Sequence, residues 1–322
     1  METLFVSREA RLRQRENTLT ITLEGKTRAF PIERVGHVVL LAESDLNSRL
    51  LTLCGKHGVR LSVFDYYGYY KGSFEPFNQN PSGRVKLVQA QAMLNPSERQ
   101  ALAQEVVRGA AHNMRANLLY YRYRGHSELE PMLKEMQRLE EKITKTVDIP
   151  TLMGVEGNLH QHYYAAWKYV DTGLDFCPRI RRPPNNPVNC LLSFLNQMTY
   201  TVVRHELFKT HLEETFSLLH SPGHGRSSLS LDLAEPFKPV LADSLIFRMT
   251  GRKMLDETWF EQHDGACLLT ETGRRHVSEQ FSMRLEEQYQ GRSFREWVYR
   301  EALAIERHLL GVDEYQSFKR KV

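Results

Sequence analysis

Three short segments carry residue types that can hold a divalent cation. The first is Leu152-Met153-Gly154-Val155-Glu156-Gly157. A carboxylate bracketed by glycines is unusual in a stretch of otherwise helical spacing, since each glycine weakens a helix by about 1 kcal/mol. Glycines there would let a backbone, ligand or phosphate approach Glu156; the plainer alternative is an exposed glutamate beside a helix start. The second segment, His220-Ser221-Pro222-Gly223-His224-Gly225-Arg226, is a glycine-rich loop offering two imidazoles and a guanidinium. Loop histidines are more often solvated than ligating, so neither stands out alone. The third is Ser228-Leu229-Ser230-Leu231-Asp232-Leu233-Ala234-Glu235-Pro236-Phe237-Lys238-Pro239. Asp232 and Glu235, three apart, would share a face on a helical turn. Two carboxylates before Pro236 would also suit a helix start and its dipole.

Carboxylate, imidazole and carboxylate together suit an octahedral site of mostly oxygen ligands with one nitrogen. The imidazole favours Mn2+ over Mg2+, although Mg2+ could also occupy it. Such an ion polarises a phosphoryl oxygen and activates a water or a 3′-hydroxyl for in-line attack. Glu156 and His160, four apart on one helix face, form a rival ligand pair, so His220, His224 and His160 all remain open at this level.

The segments taken together resemble a known family. Leu-Met-Gly-Val-Glu-Gly is similar to the Leu-Met-Gly-Ile-Glu-Gly motif of the first CRISPR-associated (Cas) protein, the spacer-acquisition integrase. Residues 228–239 resemble that family's Ser-Leu-x-x-Asp-Leu-Met-Glu-Pro-Phe-Arg-Pro. Between them, Arg182-Pro183-Pro184-Asn185-Asn186-Pro187-Val188-Asn189-Cys190-Leu191-Leu192-Ser193-Phe194 resembles Arg-x-Pro-Pro-x-Asp-Pro-Val-Asn-Ala-Leu-Leu-Ser-Phe. Three motifs in the right order are highly specific, and the resemblance spans nearly the whole chain. The chain departs at Asn186 (usually Asp), Asn196 (commonly Tyr) and Lys238 (usually Arg). The last exchange replaces a bidentate phosphate contact with a point charge.

The resemblance implies that Glu156, His220 and Glu235 are the metal ligands, with Asp232 an accessory catalytic carboxylate; it favours His220 over His224 and His160. It further implies a metal-dependent DNA endonuclease and integrase of CRISPR adaptation, joining a 3′-hydroxyl of spacer DNA to the repeat by transesterification. Water as nucleophile would turn the same chemistry into nuclease action. Implied partners are double-stranded DNA (prespacer and CRISPR repeat), a second copy of the chain in a homodimer formed largely through the N-terminal domain, and the small second Cas protein in a heterohexamer.

A phosphate-binding surface should accompany such a site. Arg179, Arg181 and Arg182 precede the Pro-Pro turn, while Arg204, Arg226, Lys238, Arg248, Arg252 and Lys253 lie near the carboxylate segments in sequence. Several of these are expected to contact DNA; the alternative for any one is a solvated helix face.

The elements that must position these residues divide in two. Alternation at 18–23, 26–32, 35–41 and 59–64 predicts strands, with a helix near 45–58 and a hairpin at 66–70. Beyond Asn78–Gly83, a polar, turn-rich linker, helical spacing takes over: 85–94, 98–123, 130–147, 152–169, 187–210, 236–247, 272–290 and 294–310. The expected fold is α+β, with a small β-rich domain at 1–77 and a larger, mostly α-helical catalytic, metal- and DNA-binding domain at 84–322. No apolar run of the 322 residues approaches the roughly 18–20 that a spanning helix needs. The N-terminus becomes charged before a signal-peptide core could form, so the expected location is cytoplasmic. Cys54, Cys177, Cys190 and Cys267 contain no C-x-x-C pair, which argues against a thiolate zinc site and for free thiols. The formal net charge of +4 is weak evidence of a nucleic-acid partner. Two rival readings remain: a catalytically silent DNA-binding scaffold of the same complex, and a metallohydrolase of small phosphoesters, which leaves the basic residues unexplained.

Overall fold

The computed structural model describes residues 1–77, 81–170, 179–180, 183–221 and 227–321. The chain divides into two compact units. One comprises Met1–Pro81, Pro183–Gln197 and Asp256–Arg284; the other comprises Ser82–Arg182, Met198–Leu255 and Leu285–Val322. Half of the 78–83 linker segment, Asn78 to Asn80, lies outside the described residues.

The first unit is built on two four-stranded sheets. Strands β1 (Glu2–Val6), β5 (Val35–Leu40) and β7 (Arg60–Phe64) are parallel, and β8 (Tyr70–Phe74) closes the sheet antiparallel to β7. The second sheet is ordered β4 (Lys26–Pro31), β3 (Thr18–Leu23), β2 (Ala10–Arg15), β6 (Ser44–Asp45). Parallel neighbours need a crossover, and α1 (Ser48–His57) supplies it between β5 and β7. Asn47 caps α1 by accepting from the Leu50 N–H, and Gly58 ends it in the left-handed region at φ 71°. Leu12, Leu19 and Ile21 of the second sheet meet Val38, Leu40 and Leu61 of the first, with Leu50 and Leu53 of α1, in one core. Strands β1 and β2 precede the first strand that the sequence predicts. In β2, Ala10 and Leu12 point inward while three arginines crowd the remaining positions.

A further hairpin in this unit, β9 (Phe260–His263) with β10 (Ala266–Leu269), lies where few strands were expected. Its two-residue turn is Asp264-Gly265, both at positive φ (48° and 77°), the conformation that an Asp-Gly pair favours.

The second unit is helical: α2 (Gly83–Leu94), α3 (Pro96–Arg122), α4 (Glu130–Ile143), α5 (Ile149–Ala166), α7 (Ser228–Ala234), α8 (Ser244–Gly251) and α10 (Phe294–Leu309). Helices α6 (Pro187–Phe208) and α9 (Glu271–Glu286) have residues in both units. Helix α4 buries Leu133, Met136, Leu139 and Ile143, the stripe expected from their spacing. Helix α5 begins where Asp148 accepts from the Thr151 N–H at 2.8 Å and Pro150, having no N–H, needs no acceptor. After α10 the chain doubles back across α3. The buried Glu301 accepts from Tyr315 Oη and Ser317 Oγ, each at 2.7 Å, and from the Phe318 N–H at 2.9 Å. Gly109 makes that crossing possible, because a Cβ there would collide with Ser317. Among the described residues no helix is long and apolar enough to cross a membrane.

Candidate metal centre

Helix α5 and the segment around α7 place the chemistry. Along α5, Leu152, Leu159 and Tyr163 face inward, which leaves Glu156 and His160 together one turn apart. Gly154 and Gly157 border open space, so no protein backbone needs their small size. Helix α7 is buried almost throughout; it passes through a turn at Glu235–Phe237 into a π-helical turn, Pro239–Asp243. Such turns leave backbone carbonyls without their usual helical donors. Two asparagines on α3 meet them: Asn113 Nδ2 donates to the Pro236 carbonyl at 2.8 Å, and Asn117 Nδ2 to the Pro239 carbonyl at 2.8 Å.

Glu156, His160 and Glu235 converge, each with a ligand atom within 4.8 Å of the others. His160 Nε2 lies 2.9 Å from Glu156 Oε1 and 3.4 Å from Glu235 Oε2. Glu235 is 3% exposed and Glu156 19%, so the group opens on the Glu156 side. Burial works against protonation of His160, but the two carboxylates outweigh it and raise its pKa to about 9. Lys238 Nζ donates to Glu235 Oε1 and also interacts with Tyr200. Burial works against ionisation of Glu235, yet Lys238 and His160 hold its carboxyl well below the usual carboxylate range.

His220 stands beside this group with a different partner. Its Nδ1 is 2.6 Å from Asp232 Oδ1. Asp232, fully buried, also accepts the backbone N–H groups of Leu218, Leu219 and His220. The carboxylate therefore fixes the loop and the imidazole together, and leaves Nε2 as the ring nitrogen free of that contact. The hydrogen bond to Asp232, and more weakly the charges of Asp232 and Glu235, raise the His220 pKa. His224 lies outside the described residues.

The basic residues are placed unevenly. Lys238 is buried on Glu235, Arg204 makes a two-pronged pair with Glu214 at 2.9 and 2.7 Å, and Arg248 pairs with Glu287 at 2.8 Å. Arg252 is exposed at the end of α8. Arg179 is partly buried, and its charge acts on Tyr164 and Asp243. Arg181, Arg182 and Arg226 lie outside the described residues.

Two features had no reading in the sequence, and a third was read differently. Asn113 and Asn117 sit mid-helix with no local partner. Asp243 is buried, and its carboxyl is pushed up to about 7 by burial against the opposing pull of Tyr163, His160 and Lys238. Lys238 was expected to meet phosphate, and only the tertiary fold brings Glu235 and Tyr200 to it.

The family model for "CRISPR associated protein Cas1" matches residues 4–283. A CRISPR-associated endonuclease Cas1 of Moorella thermoacetica is 37% identical over 325 residues, covering 99% of each chain. A solved Cas1 protein from Thermotoga maritima superposes with a TM-score of 0.86 at 28% identity, covering 99% of this chain and 100% of that one. A casposase solved with its integration product shares the fold alone, with a TM-score of 0.86 at 19% identity over 98% of this chain and 93% of its own. The chain belongs to the Cas1 family of CRISPR-associated proteins.

Proposed function

We propose that this chain is the divalent-metal-dependent DNA endonuclease and integrase of CRISPR adaptation, inserting spacer DNA into the repeat array by 3′-hydroxyl transesterification. The observation that carries the reading is the convergence of Glu156 and Glu235, from separate helical segments, onto buried imidazole. The donor set fits a divalent ion. It offers two carboxylates and a histidine whose ligand atoms lie within 4.8 Å of one another, with the buried Glu235 Oε2 met only by His160 Nε2 at 3.4 Å among the hydrogen bonds and ion pairs of the described residues. Imidazole nitrogen favours Mn2+, with Mg2+ able to bind as well.

In this reading Glu156, His220 and Glu235 hold the ion, and Asp232 orients His220 so that Nε2 faces it. The ion, when bound, supplies charge to a phosphoryl oxygen and lowers the pKa of the attacking hydroxyl or water. Lys238 keeps Glu235 ionised and adds a fixed positive charge next to the phosphate position. One observation favours a second ligand set. His160, at 2.9 and 3.4 Å from the two carboxylates, already stands within their group, whereas His220 is held by Asp232. Double-stranded DNA, a second copy of the chain and the small second Cas protein are the proposed partners, in the cytoplasm. Phosphate contacts are assigned to Arg179, Arg181, Arg182, Arg204, Arg226, Arg248 and Arg252.

The test is strand transfer into a supercoiled plasmid carrying a CRISPR repeat, with Mn2+ or Mg2+ added. Wild-type protein should give integration product and Glu156→Ala none. Equal product from both would overturn the site, and DNA binding without product from either would favour the scaffold reading.

A further inference from the structure

Residues 213–220, which lead up to and include His220, belong to no helix or strand, yet Ser217, Leu218 and Leu219 are buried. Backbone groups buried in such a segment have no regular neighbour to pair with and no water, so side chains must meet them. Asp232 takes the amide side, accepting the N–H groups of Leu218, Leu219 and His220. The carbonyl side is met from two other helices. Arg99, near the start of α3, donates from Nε to the Leu218 carbonyl at 2.8 Å and from Nη2 to the His220 carbonyl at 3.3 Å. Ser217 Oγ donates to the same His220 carbonyl at 2.5 Å. Gln89 of α2, only 1% exposed, secures the approach to this turn. Its Nε2 donates to the carbonyls of Glu213 at 3.1 Å and Phe216 at 3.2 Å, and its Oε1 accepts the Glu213 N–H at 2.7 Å.

The charges on the two sides of the turn have a consistent sense. A carboxylate sits at the N–H ends of these peptides and a guanidinium at the C=O ends, so both favour one orientation of the peptide dipoles between them. Among the described residues Arg99 makes no ion pair, and its guanidinium serves the two carbonyls. The imidazole of His220 is oriented at Nδ1 by Asp232, but the position of its backbone depends on the hold from α3 and α2. Partners that orient a metal ligand are worth about 10–100-fold in metal affinity.

We infer that Arg99 and Gln89 are positioning residues for the metal centre, holding the carbonyl side of the turn that presents His220. The role of His220 as ligand rests on the proposed function; the hold on the turn does not. Hydrogen exchange of the full-length protein in EDTA, read by mass spectrometry, tests the hold without metal or turnover. Arg99→Met keeps an apolar stem and removes the donors. Peptides covering residues 217–220 should exchange about tenfold faster or more, while those of α4 exchange as in wild type. Gln89→Met should act in the same direction, and Arg99→Lys, which keeps one cationic donor, should fall between Arg99→Met and wild type. Calorimetric titration with Mn2+ tests the consequence. Arg99→Met should raise the Mn2+ Kd about tenfold or more. Its strand-transfer rate should recover at saturating Mn2+, with the KM for DNA unchanged. Unchanged exchange at 217–220 would overturn the inference, as would an equal acceleration in α4, which marks general loosening. Faster exchange at the turn with an unaltered Mn2+ Kd would overturn it as well. A wild type that bound no Mn2+ would instead sink the proposed metal site, and the exchange result would still decide whether Arg99 and Gln89 hold the turn.

Discussion

Asn117 Nδ2 donates to the hydroxyl of Tyr163 at 2.9 Å, and that bond joins α3 to the helix that carries Glu156 and His160. The same amide donates to the Pro239 carbonyl at 2.8 Å, just beyond Glu235, and its Oδ1 accepts from Arg320 Nη2 at 2.8 Å. One buried side chain thus sets α5, the turn after Glu235 and the returning tail in register. Asn117→Ala should leave the Pro239 carbonyl and the partly buried Arg320 guanidinium without their Asn117 partner. At about 1–3 kcal/mol for each orphaned group, the loss should be about 3 kcal/mol or more. Urea melts measure it, and an unchanged midpoint at unchanged slope would show that the amide does not tie these segments.

Asp232 invites a separate test because its work is divided between the loop and the imidazole. Asp232→Asn keeps the size but loses the anion, and one amide cannot accept all four hydrogen bonds. The His220 ring then loses the acceptor that fixes Nδ1 as the protonated nitrogen. Strand transfer should fall at least tenfold, in line with the cost of removing a partner that orients a ligand. His220→Ala in the Asp232→Asn background should add little further loss if Asp232 acts through His220. Full additivity of the two changes would separate their roles.

Much of this was legible in the sequence because it depends on local periodicity. The change from two-residue to helical spacing near residue 80 marked the β-rich start and the helical remainder, and the α4 stripe followed its spacing. The strand pair β9–β10 escaped because each strand is four residues long, although Asp264-Gly265 signalled a two-residue turn. The carboxylates at Glu156, Asp232 and Glu235 were visible as motifs. Which imidazole joins which carboxylate was not, because His160 meets Glu235 only through tertiary packing. The asparagines of α3 were silent for the same reason: their partners lie between 46 and 207 residues away in the chain.

The choice between imidazoles can be read from metal affinity without any turnover. A ligand bound only by the folded state raises stability by about 2.7 kcal/mol at a hundred times its Kd. Mn2+ should therefore raise the melting temperature of the wild type, and neither Glu156→Ala nor Glu235→Ala should respond. His220→Ala should lose most of the shift if Asp232 presents it as the ligand. A shift lost in His160→Ala and kept in His220→Ala would transfer the ligand role to His160.

Asp243 provides a pH signature of the buried segment behind the centre. Its carboxyl ordinarily titrates near 3.8 and is pushed up to about 7 by burial. Between those values the folded state holds a proton that the unfolded state has released, so stability falls as pH rises from about 4 through 7 and levels off above. The full effect is on the order of a few kcal/mol. Asp243→Asn keeps a polar group beside Tyr163 and removes the titration. Its advantage over wild type should therefore be small near pH 4.5 and grow toward pH 7.5. Urea midpoints at the two pH values give the comparison, and an advantage of equal size at both would mean that Asp243 is not protonated in the fold.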